Sequence, residues 1–363
     1  MDIGIIGLPQ AGKTTVFNAL TRGQADTSGA SGSATEMHLG VVKVPDPRLE
    51  VLSGMYNPKR VVPAEIKYWD VPGPESLAKS QGIVGQYRNI LQGADAFLVV
   101  VRAFDNPSVM HPMETIDPGR DVETMLGELT FADLEVMDRA VERLEDGMKK
   151  AKPAERPAMT RQLDTIRKVK GGLEAGIPLR SQQVTDSESA ILINYQLLTG
   201  KPIIVVFNTN EDGPEPALDS LDIELPAVSQ LGEVCLSAKL EAELALMPDE
   251  EAEEFRTDLG LDDSAMNRVI RTSYSTLGLV SFLTVGPDEV RAWSVPSGIP
   301  AQEAAGTIHS DFVRGFIRAE VIPYDDLCRC GNIAQGRKEG ALRSEGKTYP
   351  VKDGDVINFL VNV

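Results

Sequence analysis

The sequence predicts an α/β protein built on a doubly wound, mostly parallel sheet, and three features predict it. Apolar runs recur at Asp2-Ile3-Gly4-Ile5-Ile6, Ala96-Phe97-Leu98-Val99-Val100-Val101 and Ile203-Ile204-Val205-Val206-Phe207, and runs of that kind suit parallel strands covered on both faces. The first run ends in glycine and leads into a helix-like Thr14 to Leu20, a strand-loop-helix signature. Polar residues are expected at the carboxyl ends of such strands, where open α/β sheets bind their ligands.

The remaining elements follow along the chain. From about Asp121 to Gly176 apolar residues fall at helical spacing, with Leu126, Leu129, Phe131, Leu134, Met137, Val141, Leu144 and Met148 in the first stretch. Lys152-Pro153 and Arg156-Pro157 break the pattern and Met159 to Leu173 resumes it, which predicts an antiparallel helical hairpin inserted into the α/β domain. After Leu279 short strand-like segments, Val290 to Val295, Phe316 to Val321 and Val356 to Val361, alternate with Gly and Pro and predict a small α+β domain. The expected domains are therefore 1–120 with 188–278, an inserted hairpin over 121–187, and 279–363.

Composition narrows the class. A chain of 363 residues with 42% hydrophobic content forms proper cores without staples. Its three cysteines, Cys235, Cys328 and Cys330, are too few for a disulfide framework and fit a reducing compartment. Cys328-Arg329-Cys330 alone cannot complete a tetrahedral metal site. The start carries no secretory signal and no apolar run is long enough to span a bilayer, so a cytoplasmic protein with no membrane partner is expected. The formal charge of −18 argues against a general phosphate-backbone binder, and DNA is not an expected partner. That charge is polarised. Residues 209–263 hold 17 acidic and 2 basic side chains, whereas residues 149–170 hold eight basic ones (Lys149, Lys150, Lys152, Arg156, Arg161, Arg167, Lys168, Lys170) against Glu155 and Asp164.

Gly7-Leu8-Pro9-Gln10-Ala11-Gly12-Lys13-Thr14, followed by Thr15, fits G-x-x-x-x-G-K-[ST] between a strand and a helix. In such a loop backbone N–H groups face phosphates, Lys13 neutralises β and γ oxygens, and Thr14 offers a hydroxyl to Mg2+. Asp70-Val71-Pro72-Gly73 supplies a D-x-x-G segment in which Asp70 serves the metal and the Gly73 amide senses the γ-phosphate. Thr35, in a Gly/Ser-rich stretch, is the candidate switch threonine and a further metal ligand. After the 203–207 run stands Asn208-Thr209-Asn210-Glu211, where guanine-specific proteins carry N-K-x-D, so the guanine contacts read as lost. Ser237-Ala238-Lys239 is the loop expected to close over the base.

With these residues in place, the chain resembles the YchF or Obg-like ATPase family. The P-loop, Gly40-Val41-Val42-Lys43-Val44-Pro45-Asp46-Pro47-Arg48-Leu49, the N-x-x-E element, Ser237 to Leu244 and most of the C-terminal segment carry the resemblance. In that segment Glu289 to Trp293, Gly306 to Phe312, Arg314 to Glu320 and Asp353-Gly354-Asp355-Val356 resemble the family's ubiquitin-like β-grasp (TGS) domain. The resemblance implies slow, Mg2+-dependent hydrolysis of ATP in preference to GTP and association with the ribosome or ribosomal RNA. It also implies a role for His111, since the family places an assisting histidine in the loop after the 96–103 strand. A near-neutral histidine orients or deprotonates water, and Pro74 stands where small GTPases carry a glutamine. Three departures matter: Pro74-Glu75-Ser76 replaces a Leu- and Gly-rich switch, Ala34 replaces a cysteine, and Gln10 replaces an asparagine tied to potassium use, so no potassium requirement carries over. Trp293 and Phe316 fit the core of a small domain. Two other readings stand beside ATP hydrolysis: a nucleotide-gated ribosome-binding module with little turnover, and a GTP-preferring enzyme.

Overall fold

The computed structural model describes residues 1–23, 38–71, 82–83, 85–223, 231–259, 261 and 263–362. Contacts divide the chain into two units, Met1–Val41 with Lys67–Val269, and Val42–Ile66 with Ile270–Val363.

The first unit holds a six-stranded sheet of β1 (Asp2–Ile6), β2 (His38–Lys43), β4 (Glu65–Asp70), β5 (Ala96–Ala103), β6 (Ile203–Thr209) and β7 (Leu231–Leu236) in the order β2-β4-β1-β5-β6-β7. Strands β4, β1, β5, β6 and β7 run parallel. Every residue of β6 and all but the last of β5 are buried, as strands covered on both faces require. The register aligns Ile5 with Asp70 and Asn208 with Leu236, so the loops after β1, β4, β5, β6 and β7 open at one edge of the sheet. Helix α1 (Lys13–Thr21) follows β1, and helix α3 (Gly85–Gly93) precedes β5.

Helix α4 (Pro118–Lys150) runs for 33 residues, about 50 Å at 1.5 Å per residue. Asp117 caps it by accepting from the Arg120 amide at 3.1 Å, and Pro118 sits at its first position, where a missing N–H costs nothing. The helix serves two cores. Val122, Met125, Leu129 and Ala132 pack on the sheet with Val99, Val101 and Phe207, whereas Met137, Ala140 and Leu144 pack against Leu163, Ile166, Val169 and Leu173 of α5 (Arg156–Glu174). A boundary at 121 thus falls inside one continuous helix. Between the cores, buried Asp133 accepts from the Leu198 amide and from the amide and hydroxyl of Thr199 at 2.7–2.8 Å.

The second unit carries β8 (Leu279–Val285), β9 (Glu289–Pro296), β10 (Phe316–Pro323), β11 (Arg343–Glu345) and β12 (Asp355–Val361). The β8–β9 hairpin is antiparallel, β12 joins β8 in parallel, and β10 joins β12 antiparallel, which with helix α10 (Ala301–Ile308) on one face is the expected β-grasp arrangement. Phe316 and Trp293 belong to that core, with the Trp293 indole N–H donating to Thr284 Oγ1 at 3.0 Å. The sheet gains a strand that sequence continuity assigns to the first domain. Strand β3 (Arg60–Val62) lies parallel to β9, Arg60 meets Glu289 at 2.7 Å, and Arg48 bridges Asp46 and Asp353. Residues 42–66 therefore belong to the second unit, contrary to a first domain of 1–120. Among the described residues no helix is long and apolar enough to cross a membrane, and no group of His, Cys, Asp and Glu forms a metal cluster.

Candidate nucleotide site

The loop after β1 has the backbone its sequence requires. Gly12 holds φ +94° and caps α1 without any side-chain hydrogen bond, and no acidic residue occupies the first turn. The first-turn N–H groups of that helix have no intrahelical partner and carry its positive dipole end, which suits an anion. Gly7 approaches the sheet so closely that a Cβ there would sit 2.3 Å from the Val100 carbonyl oxygen. Gln10 adopts φ +62°, while Leu8 and Ala11 bury their side chains.

Lys13 Nζ folds back over the loop and donates to the carbonyls of Gly7 (3.1 Å) and Leu8 (2.9 Å). Burial pushes its pKa below the ordinary lysine value, and the nearby Asp70 carboxylate opposes that shift. Thr14 donates its hydroxyl to Asp70 Oδ2 at 2.8 Å. The other Asp70 oxygen, Oδ1, is buried without a hydrogen-bond partner among the described residues. An orphaned carboxylate oxygen beside a hydroxyl is the donor set a hard divalent cation prefers, so the residues present fit Mg2+. Tyr87 on α3 feels the same carboxylate: its hydroxyl is buried with no partner among the described residues, and burial together with Asp70 raises its pKa well above the tyrosine range.

Beyond Gly12 a cleft of about 810 Å³ opens, lined by Thr15, Phe104, Asp105, Asn208, Glu211 and Lys239 among others. Asn208 braces its walls. Its side-chain amide donates to the Ala11 carbonyl and accepts from the Ala238 amide, both at 3.0 Å, tying the phosphate loop to the loop after β7. Thr209 is buried and donates to the Leu236 carbonyl, so it presents no stem to a base. Glu211 is exposed at the cleft wall, Ser237 accepts from the Leu240 amide to cap α7 (Ala238–Leu244), and Lys239 reaches solvent with Glu243 at 4.0 Å. The structure thus brings together Gly7 to Thr15, Asp70, Asn208, Glu211 and Ser237 to Lys239. Thr35, Gly73, Pro74 and Ala34 lie outside the described residues. Sequence reasoning missed Phe104, Asp105 and Asn106, whose signal was their place directly after a buried strand, and Tyr87.

His111 is not brought to this cleft. It is buried, Nε2 lies 2.8 Å from Asp121 Oδ2, and Nδ1 accepts from the Met113 amide at 3.1 Å. An N–H donated to Nδ1 leaves the proton on Nε2, so the neutral ring has no free lone pair with which to orient or deprotonate water. Asp121 is held in turn by Arg120 at 2.9 Å. This arrangement gives no support to the catalytic role that the resemblance implies for His111: the ring is buried and held by Asp121 in the first turn of α4. A His111→Ala variant is expected to lose about 1–3 kcal/mol of stability in denaturant titrations, because a buried carboxylate loses a partner, while its turnover below the transition stays at the parent level.

Loop, uncapped helix and carboxylate–hydroxyl pair define a P-loop nucleotide-binding domain. Residues 2–136 match the family model described as "50S ribosome-binding GTPase", and residues 279–362 match the model for the C-terminal domain of YchF GTPases, described as a protein of unknown function. The chain is 38% identical to the ribosome-binding ATPase YchF of Bacillus subtilis over 100% of both chains, and 38% identical to that of Escherichia coli O157:H7 over 99% of both. The solved structure of the Schizosaccharomyces pombe YchF GTPase superposes with a TM-score of 0.81 at 29% identity, covering 99% of this chain and 97% of that one. The chain belongs to the YchF family.

Proposed function

We propose that the protein is a ribosome-associated, Mg2+-dependent nucleoside triphosphatase that prefers ATP to GTP and works as a slow switch. The observation that carries the hydrolytic part is the Thr14–Asp70 pair, with its orphaned oxygen, beside the uncapped start of α1. In this reading the first-turn amides and Lys13 bind the phosphates, and Thr14 and Asp70 hold Mg2+. Bound there, the ion neutralises charge on the β and γ oxygens. Thr35 and Gly73 complete the reading as metal ligand and γ-phosphate sensor on their motif positions. Phosphate release by the purified protein, with and without ribosomes, tests it; no release above background in either case would favour a binding module.

The ATP preference rests on the base end of the cleft. A guanine-reading aspartate accepts from N1–H and the exocyclic amine, and a lysine stem packs on the ring; here Glu211 is one methylene longer and Thr209 is buried in β6. Competition for a fluorescent nucleotide is expected to rank ATP above GTP. The double change Thr209→Lys and Glu211→Asp is expected to shift that ratio toward GTP by up to about 10²-fold, the discrimination a restored polar pair can supply. Equal displacement by both nucleotides in the parent would sink the preference.

Ribosome association, which would make the protein cytoplasmic, draws support from the names of its relatives and from charge at the hairpin end. Lys149, Arg167, Lys168 and Lys170 are neutralised by Asp146, Glu145, Glu188 and the Asp138 and Glu174 pair. Lys150, Lys152, Arg156 and Arg161 have no carboxylate partner among the described residues and flank the turn between α4 and α5. Such cations suit RNA phosphates.

A further inference from the structure

A second basic concavity lies away from the nucleotide cleft, and none of its residues lines that cleft. It measures about 340 Å³ and is walled by Arg88, Asn89 and Gln92 of α3, Arg139 and Arg143 of α4, and Tyr195. From this geometry we infer that it is a binding site for a phosphate-bearing ligand, distinct from the P-loop.

The charge balance supports this. Two of the three guanidinium groups share a single carboxylate: Glu135 Oε2 lies 2.5 Å from Arg88 Nη2 and 3.0 Å from Arg139 Nη2. Among the described residues Arg143 has no partner and no acidic side chain lines the concavity. Arg139 and Arg143 are one helical turn apart on α4, and like charges at that spacing repel. An anion between them would relieve the repulsion. Arg88 is 8% exposed, fixed by Glu135 and by the Ile83 carbonyl at 3.2 Å, with its Nε left without a partner among the described residues, so one cation of the set is pre-positioned.

The guanidinium fork matches phosphate oxygens better than a point charge does. The side-chain amides of Asn89 and Gln92 add neutral hydrogen-bonding groups, although Gln92 already donates weakly to the Tyr195 carbonyl at 3.4 Å. Val136 and Ala140 form an apolar floor. Together they suit a phosphate with some organic surface, whether a phosphodiester in an RNA strand or the phosphate of a free nucleotide.

The test uses the full chain with its P-loop filled by Mg2+ and a non-hydrolysable nucleoside triphosphate analogue. Two probes are titrated by calorimetry at low salt: an eight-residue oligouridylate without terminal phosphate, and uridine 3′,5′-bisphosphate. At least one is expected to bind. The Arg139→Ser/Arg143→Ser variant is expected to weaken that binding by about tenfold or more, since both charge-assisted contacts are lost, with nucleotide affinity and melting temperature unchanged. Oligouridylate alone binding identifies RNA backbone as the ligand, and bisphosphate alone identifies a free phosphorylated nucleotide. Should the double variant unfold, Arg143→Ser removes an exposed, unpaired cation and is expected to weaken the same probe. Binding of neither probe, or equal binding by parent and variants, overturns the proposal.

Discussion

Replacing Lys13 with alanine is expected to lower turnover of nucleoside triphosphate by about 10²- to 10³-fold, the range seen when one pre-organised charge-stabilising donor is removed from an active site. Nζ already sits among the loop carbonyls of Gly7 and Leu8, where developing negative charge on a bound phosphate would face it. Burial alone would favour neutral lysine, and Asp70 works against that by favouring the ammonium form. A triphosphate in the loop adds to the side of Asp70, so the side chain is charged when it is needed. Alanine leaves the helix dipole and amides in place, and nucleotide binding should weaken less than turnover. Single-turnover phosphate release with saturating protein separates the two effects. Turnover within a few-fold of the parent would mean that the loop does not do the chemistry.

How much of this was legible in the sequence depended on whether a feature is local. The β5 and β6 strands announce themselves because every side chain in Phe97–Val101 and Ile203–Phe207 must be apolar when both faces are covered. The phosphate loop is legible because its spacing fixes backbone geometry, and Gly12 at φ +94° is the physical reason for a glycine there. Asp70, 56 residues from Thr14, was found only because a motif sets that distance. The pairing of β3 with β9 was not legible: Arg60–Val62 is short and partly exposed, and nothing local encodes a parallel partner so far along the chain. The same holds for Arg88 against Arg139 and Arg143. Counting charge along the chain finds the run at 149–170 and overlooks cations that folding brings together. The burial of His111 was not legible either, because it is Asp121, ten residues later, that makes burial of the ring tolerable.

Gly12→Ala is the substitution expected to disable the site and the fold around it together. A Cβ built on Gly12 would lie 2.3 Å from Asn208 Nδ2, and the backbone at φ +94° is one that alanine rarely adopts. One escape moves Asn208, which breaks its hydrogen bonds to the Ala11 carbonyl and the Ala238 amide and frees the loop after β7 from the phosphate loop. The other shifts the loop, which misdirects the first-turn amides of α1. Left-handed strain costs about 1–3 kcal/mol, and each buried hydrogen bond lost adds about 1 kcal/mol or more. Chemical denaturation should therefore report a loss of about 3–5 kcal/mol, with nucleotide affinity falling at least tenfold under conditions where the variant is still folded. Asn208→Ala separates the causes, since it removes the brace without backbone strain. It is expected to reproduce most of the affinity loss and a smaller part of the stability loss. If Gly12→Ala weakened nucleotide binding and Asn208→Ala left it unchanged, the amides of α1 rather than the Asn208 brace would be what the glycine protects.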